Sequence, residues 1–396
     1  MRQTDVRAFP SGCASGRAVG RGTGGATAIL GRSGPNYLAV FLTAAVLFLA
    51  RGAAAEEEKK DVAPAPEVSA RIEQAVDRAV PYLLGRQRPD GSITEGQYPT
   101  AMTALSVMAL CAVGHLPSDQ NKEGEAIRKA LAYILADGRM DGNGYYGGDG
   151  GRMYGHGITC LMLAEVLAMS PDEKQDKLVR KRLEKGIGLI LWSQERKAPG
   201  NPHYGGWRYE PPAGDSDLSV TIWHLLALRA AKNAGMDVPK KAIDAAIDYL
   251  KRSYSSPRDG SGRPTNLKSA CAYQPGGGPS YAMGAAGLLA LQVCGQYDSP
   301  EVCGSADWLT TQNLDVNQPF FFYGTYYYAQ GMYQRGGLYA ETAAKSVADV
   351  LLKHQQPDGG WQASNGQEAG VGRVYATSMA LLSLSVQYHF LPIYQR

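Results

Sequence analysis

Gln356-Pro357-Asp358-Gly359-Gly360-Trp361 is a short stretch whose parts recur along the chain. Related forms are Gln87-Arg88-Pro89-Asp90-Gly91-Ser92, Asp141-Gly142-Asn143-Gly144-Tyr145, and Gln194 followed by Gly205-Gly206-Trp207. Asp259-Gly260-Ser261-Gly262 is a weaker copy. Asp-Gly and Gly-Gly stop a helix by supplying left-handed backbone. Helix stopping explains the Asp-Gly pair. It explains less well why Gln precedes it and an aromatic residue follows.

Outward from these turns, two kinds of helix alternate. One kind is amphipathic: Ile127, Ala130, Leu131, Ile134 and Leu135 repeat at helical spacing, as do Val179, Leu183, Ile187, Ile190 and Leu191, and Ile243, Ala246, Ile247 and Leu250. The other kind is apolar on nearly every side, as in Ala101 to Val113, Ile158 to Met169 and Ala282 to Val293. A helix with no polar face must be surrounded by protein. The amphipathic members fall near 69–87, 122–136, 176–194, 239–253, 299–312 and 340–356. The apolar ones fall near 99–114, 156–169, 217–234, 280–296, 320–333 and 373–388. A period of about 40 to 60 residues is that of helical repeats. Six outer helices shielding six inner ones satisfies the pattern, whether as a closed ring or an open solenoid.

Gln followed by Asp-Gly-Gly-Trp at an outer-helix end resembles the QW repeat of squalene cyclases and their protein-prenyltransferase relatives, over nearly all of residues 67–396. The resemblance implies an all-α fold, the α/α toroid, with six inner and six outer helices in a closed ring. The chain looks most like secreted, single-domain proteins with prenyltransferase and squalene oxidase repeats.

The N-terminal residues read differently. Residues 1–36 are rich in Arg, Gly and Ser, an apolar run spans Tyr37 to Ala50, and Ala53-Ala54-Ala55 precedes Glu56-Glu57-Glu58. A basic lead, a short apolar stretch and an A-x-A site predict a signal peptide over 1–55. The run falls short of the roughly 20 apolar residues of a membrane span; an uncleaved N-terminal anchor is the rival reading. An acidic, Pro- and Ala-containing linker at 56–66 then leads into the toroid at 67–396, which is expected to be secreted or periplasmic. Of the net charge of +3, residues 1–52 hold +5, leaving −2 for the rest. Such a near-neutral domain offers no electrostatic footprint for nucleic acid. Five cysteines follow the leader. Cys111 and Cys160 read as small core residues, Cys271 is left without an assigned pairing, and Cys294 and Cys303 flank a turn and could pair in an oxidising compartment.

Every glycine-rich turn joins the end of an outer helix to the start of an inner one, so in a ring all of them lie at one mouth. Inner-helix N-termini, with free N–H groups and partial positive charge, converge there. At that mouth the chain reads Gly205-Gly206-Trp207-Arg208-Tyr209, then Asp215-Ser216-Asp217-Leu218-Ser219. This looks like the squalene-hopene cyclase segment in which GGW precedes an acidic D-x-D-D-T motif. Asp215 matches the first Asp and Asp217 the second, which in that family protonates an alkene. Leu218 and Ser219 stand where the third Asp and the Thr would be. The resemblance therefore implies catalysis by Asp217 with Asp215, while helix capping alone also explains them. The single-ring prenyltransferase relatives bind zinc through Asp-x-Cys and a distant His; no Asp-x-Cys occurs here, and neither metal nor other cofactor is expected.

Aromatic residues crowd one inner segment, Phe320-Phe321-Phe322-Tyr323 and Tyr326-Tyr327-Tyr328. Aromatic faces stabilise carbocations and also stack on sugars. Trp207, Tyr209, Trp223, Tyr154, His156, Phe322, Tyr326, Tyr327 and Tyr375 are the expected ligand-binding residues. Tyr326, Tyr327, Trp223 and Tyr375 are expected to be partly accessible to a wet central cavity, because a buried tyrosine hydroxyl needs a partner. The sequence thus favours a binding toroid for an isoprenoid or glycan ligand. An isoprenoid cyclase using Asp217, and a polysaccharide lyase or glycosidase, are the alternatives.

Overall fold

The computed structural model describes residues 66–167, 169 and 172–388; the expected signal peptide and nearly all of the linker lie outside them. The described residues form thirteen α-helices and no β-strand. In chain order these are α1 (Pro66–Leu84), α2 (Pro99–Ala112), α3 (Lys122–Leu135), α4 (Arg152–Val166), α5 (Glu173–Gln194), α6 (Leu218–Asn233) and α7 (Lys240–Ser253). They continue with α8 (Tyr281–Val293), α9 (Pro300–Leu309), α10 (Phe321–Arg335), α11 (Gly337–His354), α12 (Gly366–Val371) and α13 (Arg373–Leu384).

The apolar segments make the inner ring. α2, α4, α6, α8, α10 and α13 each pack on the next, and α13 packs back on α2, so the ring is closed. Every residue of α8 is buried, as its uniform apolarity requires. The amphipathic segments stand outside, as in α3, where Ile127, Ala130, Leu131, Ile134 and Leu135 form the buried stripe. Each of the first five inner helices packs against the outer helix that follows it. The sixth, α13, has none after it, and α1 takes that place while also touching α11. Periodicity left ring and solenoid open; the architecture is an α/α toroid.

The recurrent glutamine and aromatic residue have a structural reason. Gln87 donates its amide to the carbonyls of Gly91 (3.1 Å) and of Ala126 on α3 (2.8 Å). Gln194 does the same to Gly205 and to Ala242 on α7, both at 2.9 Å. The third such residue is Gln355, bonded to Gly359 and to Ala75 on α1, both at 2.8 Å. It lies one position before the stretch singled out by sequence: Gln87 and Gln355 each stand four residues before their left-handed glycine, and Gln194 stands eleven before Gly205. Gly91, Gly205 and Gly359 have φ near +90° (92°, 92° and 90°), and a Cβ there would run into the carbonyl oxygens of Lys129, Ala245 and Arg78 in the adjoining outer helices. Trp361 in turn ties helix to helix: its indole donates to Leu351 (2.8 Å) and its backbone N–H to Thr377 on α13 (3.0 Å). Trp207 repeats this with Ile190 (2.9 Å) and Thr221 (3.0 Å).

Cys111 and Cys160 are buried, as expected. Cys294 carries a free thiol, so the pairing with Cys303 that the turn would allow is not formed. No helix among the described residues is long and apolar enough to cross a membrane.

Candidate functional site at the toroid mouth

Inner-helix N-termini converge on one end, and groups from the next repeat occupy their free donors. Asp149 accepts from Thr100 N–H at 2.8 Å. Carbonyls of Tyr209 and Tyr273 accept from Met153 and Leu218 N–H, both at 2.9 Å. Glu368, on the short helix α12, accepts from Phe322 and Tyr323 N–H (3.2 and 2.9 Å). Glu95 accepts from Arg373 N–H at 2.7 Å. Negative ends thus meet positive helix termini around most of the ring. Three non-glycine residues at these helix starts hold left-handed backbone, Tyr98 (φ 50°), Arg152 (φ 51°) and Phe320 (φ 56°), a conformation that costs about 1 kcal/mol or more.

The Asp215–Ser219 segment lies at this mouth. Asp217 is completely buried and caps α6, accepting from Val220 N–H (2.9 Å) and Ser219 O–H (2.5 Å). Its other oxygen accepts from Arg208 Nη1 at 2.6 Å. Backbone N–H, serine hydroxyl and guanidinium all donate to this carboxylate. Asp215 is 46 % exposed and pairs with Arg208 Nε at 3.3 Å. The Arg208 guanidinium lies over the rings of Tyr209 (4.3 Å) and Tyr273 (5.5 Å) and donates to the Tyr273 hydroxyl at 2.6 Å. The Tyr209 and Tyr273 hydroxyls bond each other. Tyr154 stacks at a tilt on Tyr209 (5.8 Å) and bonds Ser219 through its hydroxyl.

Below the mouth the expectation of accessible aromatics fails. Trp223, Tyr326, Tyr327, Phe322 and Tyr375 are all buried. Trp223 on α6 stacks on Tyr326 of α10 (6.0 Å, 13°) and meets Tyr323 and Tyr327 edge-on (6.3 and 5.7 Å). For several tyrosines of this layer the physical reason is that protein groups meet the hydroxyl. Tyr323 donates to the Ser219 carbonyl (2.8 Å), Tyr375 to Glu368 (2.9 Å), and Tyr281 lies 3.3 Å from the Thr325 hydroxyl.

Trp207 and His156 are also buried; the Trp207 carbonyl accepts from Asp217 N–H at 2.9 Å, while its indole is packed into the wall. They belong to a column of rings in which His156 lies 6.1 Å from His224 and His224 stacks on Trp207 at 5.4 Å. His156 Nε2 faces the Gly186 carbonyl at 3.1 Å and its Nδ1 accepts from Tyr146 N–H at 3.3 Å. Burial lowers both imidazoles, His156 to about 4 and His224 to about 3, so they are neutral packing groups near pH 7.

Of the expected site residues, the mouth therefore brings together Asp215, Asp217, Tyr209 and Tyr154. Arg208 and Tyr273 complete the cluster and were not singled out. Tyr273 reaches it from the next repeat, and no local pattern reports such an approach. Among the described residues no group of His, Cys, Asp and Glu side chains is arranged to hold a metal ion.

No protein-family profile matches the sequence, and no curated protein matches it. Solved structures do. An inactive variant of the α-1,6-mannanase GH76A of Salegentibacter sp. HEL1_6, in complex with α-1,6-mannotriose, is 10% identical over 80% of this chain and 99% of that one, with a TM-score of 0.55. A protein from Actinoplanes is 17% identical over 80% and 99%, with a TM-score of 0.49. The type II terpene cyclase MstE from Scytonema is 13% identical over 81% and 99%, with a TM-score of 0.37. The mannanase likeness defines the class of fold, an α/α toroid.

Proposed function

We propose that this chain, exported by its leader, is a squalene-cyclase-like toroid that binds its ligand at the mouth and does not cyclise isoprenoids in the ring. The observation that carries this is the double engagement of Arg208, held by Asp217 at 2.6 Å and by Asp215 at 3.3 Å. An acid strong enough to protonate an alkene has to be kept neutral and free to donate. Here the motif's second carboxylate serves as an ion-pair partner and helix cap. The packed Trp223–Tyr326 pair beneath it argues the same way, since a linear isoprenoid needs a deep interior. Incubation with squalene and with farnesyl and geranylgeranyl diphosphates tests the reading: we expect no cyclic product by gas chromatography. A cyclic product that disappears in Asp217→Asn would overturn it.

Hydrolysis of a glycan is the second reading. It is favoured by the half-exposed carboxylate of Asp215 at the mouth and by the mannanase among the toroid neighbours. Release of reducing ends from a polysaccharide, lost in Asp215→Asn, would establish it.

A further inference from the structure

The mouth carries an arc of rings set between paired charges. Tyr98 lies over Gly150, at ordinary contact distance from where a side chain would begin. Next along the rim, Arg152 pairs with Glu210 at 3.3 Å. Tyr154 leans on Tyr209, and Tyr209 is tied through its hydroxyl to Tyr273. Tyr273 is 38 % exposed, yet it is not a loose surface side chain: Arg208 and Tyr209 both hold its hydroxyl. A ring fixed at its polar end and open to solvent is ordered before any ligand arrives. Binding to it then orders little further, which favours affinity.

The charges restrict what such a platform accepts. Across this arc the two guanidiniums of Arg152 and Arg208 face three carboxylates, Glu210, Asp215 and Asp217. With Lys197, whose ammonium feels Asp215, three cations meet three carboxylates, so no excess of positive charge is left for a phosphate, sulfate or uronate. A hydrocarbon is disfavoured as well, because covering Asp215 or Glu210 with it would strip these half-exposed carboxylates of water without replacing the lost hydrogen bonds. A ligand with an apolar C–H face and a rim of neutral hydroxyls meets both demands. Its face stacks on the tyrosine ring, while its hydroxyls donate to the carboxylates and accept from the guanidiniums.

We propose, resting on the mouth-binding reading above, that this arc is a subsite for a neutral oligosaccharide, with Tyr273 as its stacking platform and Asp215 and Arg152 as hydroxyl partners.

The test is isothermal titration of the full chain with neutral gluco-, manno- and xylo-oligosaccharides of three to six units, with an oligogalacturonate of equal length, and with farnesol in detergent. At least one neutral series should bind saturably, and the oligogalacturonate about tenfold or more weaker. Tyr273→Ala should lose about tenfold, as expected for one lost stacking contact. Tyr273→Phe, which keeps the ring, should stay within about threefold. Unchanged melting of both variants guards against a folding artefact. Saturable binding of farnesol or oligogalacturonate alone, weakened by Tyr273→Ala, would overturn the saccharide assignment and leave the mouth as the binding site. No saturable binding by any probe would overturn both.

Discussion

Arg208 holds Asp217 and the Tyr273 hydroxyl through the same nitrogen, each at 2.6 Å. A buried carboxylate at the start of α6 is thereby linked to an exposed ring contributed by the next repeat. Asp217→Asn keeps an oxygen for the cap but leaves Arg208 with only Asp215. Breaking a fully buried ion pair costs about 3–5 kcal/mol; with a second partner present and Arg208 partly solvated, we expect about 1–2 kcal/mol. Asp217→Ala also removes the cap and should cost about 1 kcal/mol more. Urea unfolding of the two variants measures the difference.

Acid should destabilise the protein steeply. His156 and His224 have folded values of about 4 and about 3, below the ordinary 6.5, first because burial penalises the imidazolium. Each binds its proton more readily unfolded. The stability this represents is present above pH 6.5 and is lost as pH falls toward 4. With two such groups the slope is about 2–3 kcal/mol per pH unit in that window. Denaturant midpoints at pH 7, 6 and 5 check the slope, and His156→Gln with His224→Gln should flatten it.

Gly205→Ala and Gly214→Ala should differ sharply. Gly205 has φ 92° and sits against the Ala245 carbonyl, whereas Gly214 faces open space. We expect a loss of about 2 kcal/mol or more for the first, from backbone strain plus displacement of α7, and almost none for the second. Thermal melts of both, run side by side, decide it.

Trp361→Ala should cost about 3–5 kcal/mol, since a fully buried indole and its hydrogen bond to Leu351 are both lost. Trp207→Ala should cost as much, because the same pair of bonds recurs there. The two losses should add if the repeats respond independently. Denaturation of the double variant checks this.

Much of the fold was legible because burial leaves a local signature. α8 reads as an inner helix from Tyr281–Val293 alone, since no side of it could face water. The mouth was legible only in part. Asp215 and Asp217 announce a helix start, but the residues that define their chemistry, Arg208 and Tyr273, meet through pairing between repeats. α12 was not foreseen: six residues with no apolar period give no signal, yet they deliver Glu368 to the start of α10. Tyr375 was expected to face a wet cavity because the partner of its hydroxyl, Glu368, lies on that unforeseen helix.

The placement of α1 against α13 has a consequence for the order in which the molecule can assemble. Among the described residues, the first helix in chain order has its apolar stripe matched by the last inner helix, and Gln355 reaches back to Ala75 across 280 residues. Growth of the chain can build the array repeat by repeat, but α1 stays without its docking partner until α13 is synthesised. Final closure is therefore a late event that brings together distant parts of the chain, the kind that slows folding and prolongs exposure of sticky surface. Loss of a few C-terminal turns would strand the N-terminal helix as well, so a truncation at one end should be felt at the other.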